Sequence, residues 1–310
     1  MPRIVISENM DAPAVAGLAK EFDVDYRPTL VDDPASLAQA LDSAQAWIVR
    51  NRTQVRGAAL AGASQLRVVG RLGVGLDNID VDACAARGIE VIPAVGANAE
   101  SVAEYVLAMA MVLLRGAAYL STAAVAAGRW PRQMLSQGRE VSGKVLGLVG
   151  FGSIGRVTAT KALALGMRVV AHDPALAADS PAWREAGVEP RGLDELLAAA
   201  DVVSLHLPLV AATRGLIGEE RLARMKPGAI LVNSARGGIV DEAALARALG
   251  SGRLAGAALD VFAEEPLRAS SVLAGVPNLI LTPHIAGVTQ ESNERVSGLV
   301  AERVAACLRR

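Results

Sequence analysis

The chain has 310 residues, 52% of them hydrophobic, and its 31 basic and 32 acidic side chains leave a formal net charge of −1. That length and apolar content suit two domain cores of an α/β protein. The balanced charge gives no electrostatic footprint for nucleic acid or an anionic membrane surface, so neither is expected as a partner.

The N-terminal residues begin a strand and lack the basic-then-apolar order of a signal peptide. From there short β-branched runs at residues 4–6, 22–26, 46–49, 66–70 and 89–92 alternate with helix-like segments, which predicts a parallel sheet. Asn98 is expected to cap a long helix through Leu114. The apolar run at 105–114 inside it, bounded by Glu104 and Arg115, falls well short of the ~20 residues that span a bilayer. Residues 119–127 read as a further helical piece. Six strands follow, near 145–149, 168–172, 201–206, 229–233, 255–259 and 278–282, enough for a complete doubly wound sheet. The tail from Thr289 is helical with no strand after it. It is expected to return to the first domain, giving a discontinuous domain of residues 1–97 and 288–310 around a second of residues 98–287. Cys84 and Cys307 are far apart and in no C-x-x-C arrangement. Neither a disulfide framework nor a metal site is expected, and a reducing cytoplasm is the natural setting.

Between the strands at 145–149 and 168–172 lies Gly150-Phe-Gly152-Ser-Ile-Gly155. This spacing suits a pyrophosphate: one glycine for the tight turn, one for close backbone approach, and one for packing helix on strand. The phosphates are expected at the helix N-terminus near Ser153 and Ile154. Asp173, 18 residues past Gly155, is placed to accept hydrogen bonds from ribose hydroxyls. With Pro174 next to it and no adjacent arginine, NAD is favoured over NADP.

Three polar motifs close the late strands, where doubly wound sheets place their ligands: Asn233-Ser-Ala-Arg236-Gly-Gly, Ala258-Leu-Asp260 through Glu265-Pro266, and Thr282-Pro-His284-Ile-Ala-Gly287. Together with the fingerprint and Asp173 they resemble the D-isomer-specific 2-hydroxyacid dehydrogenase family, from about Ile48 to the C-terminus. The resemblance implies a Rossmann NAD-binding domain inserted in a flavodoxin-like substrate domain. It also implies that His284 is the acid/base, Glu265 its partner and Arg236 the substrate anchor, the Glu-Pro step selecting Glu265 over Glu264. These roles suit the chemistry: a histidine titrating near neutrality moves a proton either way, a carboxylate fixes its tautomer, and a fork-shaped guanidinium holds a 2-oxo acid. For Asp260 the family pattern favours support of the nicotinamide over a simple cap. His206 is read as lining the adenine side and His172 as structural. The cofactor set is Val74, Gly150, Gly152, Ser153, Ile154, Gly155, Asp173, His206, Leu207, Pro208, Thr213, Ser234, Ala235, Arg236, Asp260, His284, Ala286 and Gly287.

In the first domain, Gly70-Arg71-Leu-Gly73-Val74-Gly75 follows a strand; a Gly-rich turn of this kind can bind a carboxylate through its amides, and although composition alone favours a plain loop, the resemblance implies the binding role. In relatives this loop meets the substrate carboxylate across an interdomain cleft. Arg50, Arg52, Arg71 and Arg132 match basic positions that engage a distal phosphate in phosphoglycerate dehydrogenases. With Gly73, Val74, Gly75, Arg236 and His284 they make up the expected substrate set. They point to a small 2-hydroxy or 2-oxo acid of (R)-like geometry carrying an anion at C3, either 3-phosphoglycerate or (S)-3-sulfolactate. The chain as a whole also resembles the sulfolactate dehydrogenases of the family. The alternatives are a glyoxylate or hydroxypyruvate reductase, against which Asp173 argues if NADPH is required, and a non-catalytic NAD(H)-sensing corepressor. The chain ends at Arg310, so serine feedback through a C-terminal domain is not expected. The segment 120–140 has no place in the sheet. It is expected to reach a second subunit of a homodimer, where Arg132 would serve either its own or the neighbour's cleft.

Overall fold

The computed structural model describes residues 1–116, 121–133 and 135–310. The chain forms two compact units, Met1–Asn98 with Val288–Arg310, and Ala99–Gly287.

In the first unit, strands β1 (Arg3–Ile6), β2 (Asp23–Tyr26), β3 (Ala46–Val49), β4 (Val68–Arg71) and β5 (Glu90–Pro93) pair in parallel in the order β2-β1-β3-β4-β5, the flavodoxin-like order. Successive side chains point to opposite faces, and both faces are covered, so the strands read as unbroken apolar runs. Ile4, Ile6, Ile48 and Val68 pack on one side with Val296, Val300 and Val304 of the C-terminal helix, Gln290–Leu308. Val5, Trp47, Val49 and Val69 pack on the other with Leu37 and Leu41 of α2 (Pro34–Leu41) and Leu60 of α3 (Gly57–Gly62); α1 (Ala12–Leu18) and α4 (Val81–Ala86) complete the unit's first four helices. The C-terminal helix starts where Thr289 accepts a hydrogen bond from the Ser292 N–H. Its close seating depends on Gly70, where a Cβ would lie 2.7 Å and 2.9 Å from methyls of Val300 and Val304.

In the second unit, β6 (Val145–Val149), β7 (Arg168–His172), β8 (Glu189–Pro190), β9 (Val202–Leu205), β10 (Ile230–Asn233), β11 (Gly256–Leu259) and β12 (Leu279–Leu281) form an all-parallel sheet in the order β12-β11-β10-β9-β6-β7-β8. The order reverses between β6 and β9, as in a Rossmann fold. The sheet holds seven strands among the described residues, not the expected six. The extra one, β8, has only two residues and contains Pro190, which cannot donate to a ladder and is at home on a sheet edge. Neither alternation nor an apolar run marks it. Helix α5 (Ala99–Arg115) and α7 (Ser153–Ala164) cover one face, and α9 (Leu193–Ala199) and α11 (Glu242–Gly250) the other. Helices α6 (Thr122–Ala126), α8 (Pro181–Glu185) and α10 (Glu219–Arg224) are short.

Asn98 precedes α5 as expected, but its side chain does not cap the helix, because Asn98 Oδ1 is buried with no hydrogen-bond partner. The helical piece expected at 119–127 is α6 over its later part; Tyr119 and Leu120 lie outside the described residues, as does Met134 of the expected arm. No helix among the described residues is long and apolar enough to cross a membrane, and none of their His, Cys, Asp and Glu side chains form a cluster of three or more suited to a metal ion.

Candidate functional site

The second unit gathers its polar side chains at the C-terminal ends of its strands. Past β6 the chain turns at Gly150 with φ +102°, and the Gly150 N–H donates to the His172 carbonyl at 2.8 Å. A Cβ at Gly150 would stand 2.2 Å from the His206 carbonyl, and one at Gly155 2.5 Å from the Gly150 carbonyl. At Gly152, by contrast, nothing lies within 4 Å of that position. No side chain caps α7 at Gly152, so the amides of Ser153 and Ile154 begin the helix beside open space, as an anion site requires. Asp173, just past β7, accepts from the Phe151 N–H at 2.8 Å and the Ala175 N–H at 2.9 Å, which ties it to the turn. These features fit a dinucleotide.

Beyond β9, His206 donates its N–H to the Val149 carbonyl at 2.7 Å, and its Nε2 lies 3.0 Å from Ser204 Oγ. Leu207 and Pro208 follow it, and Thr213 Oγ1 closes the turn by donating to the Pro208 carbonyl at 2.6 Å and accepting from the Val210 N–H. Burial pushes the His206 imidazole down to about 4. Between about pH 6.5 and pH 4 the unfolded chain therefore binds a proton that the folded chain refuses. The contribution is complete above the unfolded value and lost as the pH falls through this window. Between pH 7 and pH 5 the protein is expected to lose about 2 kcal/mol from this group, a loss that His206→Gln should lack. Urea unfolding of both proteins at the two pH values checks this; equal losses would refute it.

Past β10, the Asn233 side chain closes a turn by accepting from the Ala235 N–H at 3.1 Å and donating to the Arg236 carbonyl at 3.0 Å. Ser234 Oγ within that turn is buried and has no hydrogen-bond partner, a polar atom left for a ligand. The Arg236 Nη1 donates to the Ala235 carbonyl at 2.6 Å.

Past β11 and β12 the remaining groups converge. His284 Nδ1 lies 2.8 Å from Glu265 Oε2, and Glu265 Oε1 accepts from the Phe262 N–H at 3.1 Å. The imidazole and carboxylate side chains are 40% and 37% exposed, so a substrate can reach the pair. An ionised carboxylate only accepts, so Nδ1 carries the proton and Nε2 is the atom left to exchange one. His284 has φ +57°, uncommon for a residue with a side chain. Asp260, 1% exposed, holds it there: Oδ1 accepts from Thr282 Oγ1 at 2.6 Å and the Ile285 N–H at 2.8 Å, Oδ2 accepts from the Ala286 N–H at 2.8 Å, and the Asp260 carbonyl accepts from the His284 N–H at 2.8 Å. Tyr105 Oη on α5 lies 2.7 Å from Thr282 Oγ1. Because Thr282 donates to Asp260, Tyr105 is the donor to Thr282. Asp260 is thus engaged in bracing the turn that leads through Ala286 to Gly287. Thr282 stands in the third polar motif but was given no role in the expected site, and Tyr105 was absent from it, since a tyrosine in an apolar helical run carries no motif.

In the first unit, the Arg71 guanidinium folds over its own loop, donating from Nη1 to the Leu72 carbonyl at 3.0 Å, and a Cβ at Gly73 would collide with it. Val74 and Gly75 are half-buried. The Asn78 amide joins this loop to the one past β3, donating to the carbonyls of Arg50 at 3.3 Å and Thr53 at 2.7 Å. Arg50 donates to the Asn9 carbonyl at 3.3 Å and Asn293 Oδ1 at 3.0 Å, and Arg52 pairs with Asp32. Arg132 is exposed in the second unit, just after α6. Glu8, buried past β1, was likewise absent from the expected site.

Residues 107–286 match the model of the D-isomer specific 2-hydroxyacid dehydrogenase NAD-binding domain. The chain belongs to this family. It is an NAD-dependent oxidoreductase, and its dinucleotide turn, Arg236 and the His284–Glu265 pair all fall within the matched span. Among relatives, it is 57% identical over 304 residues to an (S)-sulfolactate dehydrogenase of Chromohalobacter salexigens, covering 98% of this chain and 97% of that one. It is 42% identical to a D-3-phosphoglycerate dehydrogenase of Mycobacterium leprae, covering 98% of this chain but only 56% of the other, so it spans little more than half of that relative's length. Among solved structures, a D-lactate dehydrogenase of Aquifex aeolicus, complexed with NAD and lactic acid, superposes with a TM-score of 0.85 at 31% identity and covers 99% of this chain and 95% of its own.

Proposed function

We propose that this dehydrogenase interconverts (S)-3-sulfolactate and its 2-oxo acid. The observation that carries this reading is the 57% identity to the (S)-sulfolactate dehydrogenase over nearly the whole of both chains. Sulfur outranks carboxylate in naming priority, so the (S)-sulfolactate carbon has the spatial arrangement of an (R)-2-hydroxy acid and suits the family's handedness. The bound nicotinamide supplies the hydride acceptor. His284 Nε2 takes the proton of the C2 hydroxyl during oxidation and returns it during reduction, while Glu265 keeps the proton on Nδ1. Arg236 grips the carboxylate and the C2 oxygen as a fork. Val74 and Gly75 are assigned the backbone amides that bind a substrate carboxylate. Asp173 accepts from the adenosine ribose hydroxyls, and its charge disfavours a 2′-phosphate.

Arg50, Arg52, Arg71 and Arg132 are assigned to the C3 anion. A charge-assisted hydrogen bond contributes about 1.5–3 kcal/mol, so two such contacts are worth at least about 100-fold in affinity. A panel of D-lactate, D-glycerate, 3-phosphoglycerate and (S)-sulfolactate with NAD tests this. The value of kcat/KM for (S)-sulfolactate is expected to exceed that for D-lactate by at least about 100-fold and to exceed that for 3-phosphoglycerate as well. Comparable values for lactate and sulfolactate would remove the distal-anion reading. A preference for 3-phosphoglycerate would move the assignment to the activity named for the 42% identical relatives. The enzyme is read as a cytoplasmic homodimer. Buried, unpaired Cys84 and Cys307 suit a reducing compartment, and Trp130, 78% exposed beside Arg132, suits a covered interface.

A further inference from the structure

Glu8 stands immediately past β1, at the C-terminal end of the first unit's sheet, and is 4% exposed. Its carboxylate is ringed by four successive backbone donors of the loop past β3: Oε2 accepts from the N–H groups of Arg50 at 2.8 Å and Thr53 at 3.0 Å, and Oε1 from those of Asn51 at 3.3 Å and Arg52 at 3.0 Å. Amides converging in this way form an anion-binding nest, and here an internal carboxylate fills it. A buried carboxylate is costly to desolvate unless donors surround it, so this arrangement is specific to a charged acceptor of this length. The loop is held from its other side as well, since Asn78 donates to the carbonyls of Arg50 and Thr53, and Thr53 Oγ1 lies 3.1 Å from Ser7 Oγ.

Two consequences follow for an incoming anion. The loop amides are already engaged, so only side chains of this loop can meet it. The charged ones among them are Arg50 and Arg52, on a backbone that Glu8 fixes. The Arg50 guanidinium reaches back to the Asn9 carbonyl and Asn293; burial lowers its pKa, and the Glu8 charge partly offsets that effect. Arg52 is exposed and paired with Asp32, a contact that an arriving anion can replace at little cost.

We propose that Glu8 is a positioning residue for substrate specificity: its carboxylate occupies the amide nest of the 50–53 loop and so presents Arg50 and Arg52 to the anion at C3 of the substrate. This rests on the reading that the substrate carries such an anion.

The test compares Glu8→Gln and Glu8→Asp with the parent enzyme, using the ratio of kcat/KM for (S)-sulfolactate to that for D-lactate, which has no anion at C3. Gln retains the shape but turns an NH2 toward backbone donors, leaving some of them unsatisfied. Asp retains the charge but withdraws it from the nest by one methylene. The ratio is expected to fall at least tenfold in Glu8→Gln, mainly through KM for sulfolactate, and to fall less in Glu8→Asp, with NADH affinity within about twofold of the parent in both. If the parent discriminates and either folded variant keeps the ratio within twofold, Glu8 does not act through the arginines and the inference fails. Should Glu8→Gln not fold, Glu8→Asp alone decides by the same criterion. If the parent itself does not discriminate, the C3-anion reading fails and this inference with it, a result distinct from failure of the variants.

Discussion

Substituting alanine for His284 is expected to lower kcat for the 2-hydroxy acid by at least about 10³-fold while leaving the dissociation constant for NADH within a few-fold of the parent. The size follows from the geometry. Nδ1 is committed to Glu265, so Nε2 has no substitute within the pair, and Glu265 loses the ring through which it acts. A general acid/base contributes about 10²–10⁴-fold, and here one group serves both directions of a proton transfer that accompanies hydride transfer. The φ of +57° at this position strains histidine and alanine alike, and the Asp260 contacts to the Ile285 and Ala286 amides involve backbone donors and survive the change. Fluorescence titration with NADH and a thermal melt separate loss of chemistry from loss of fold. A folded His284→Ala protein that turns over within tenfold of the parent removes this histidine from the reaction.

How much of this site was legible in the sequence depended on whether its parts were carried by local pattern. The Gly150 turn, Arg236, Glu265 and His284 follow short apolar strands and sit inside short motifs, so their place at the strand ends could be anticipated. Parallel sheets bring such ends together whatever the sequence between them. The bracing around them could not be read in this way. Asp260 reaches Thr282 and Ala286 across more than twenty positions, and Tyr105 reaches Thr282 from a helix whose composition announces only burial. Glu8 looks like an ordinary strand-end acid until β1 and β3 are paired and the 50–53 amides close on it. The strand at Glu189–Pro190 escaped for another reason: at the sheet edge a proline is tolerated and two residues suffice, so nothing in composition separates it from a loop. Asn98 shows the opposite failure, a residue of the right type at a helix start whose side-chain oxygen is left without a partner.

The dinucleotide turn offers a second large effect, because two of its glycines are required for different reasons. In Gly150→Ala the new methyl would stand 2.2 Å from the His206 carbonyl and 2.8 Å from its carbon, at a φ of +102° that side chains rarely adopt. The neighbours are backbone and cannot swing aside: the His206 N–H is bonded to Val149, and the Gly150 N–H to His172. The turn must leave the ends of β7 and β9, so both stability and the cradle for the pyrophosphate are lost. A lowered melting temperature and at least about 100-fold weaker NADH binding are expected together. Gly152→Ala separates the two effects. No protein atom lies within 4 Å of the added methyl, and φ is −75°, so the fold should melt within a degree or two of the parent. Any loss of NADH affinity there must come from the methyl occupying space that the cofactor's phosphates need. Calorimetric titration with NADH beside a thermal melt reads both. Unchanged affinity in a folded Gly152→Ala protein would mean that the pyrophosphate does not lie against the start of α7.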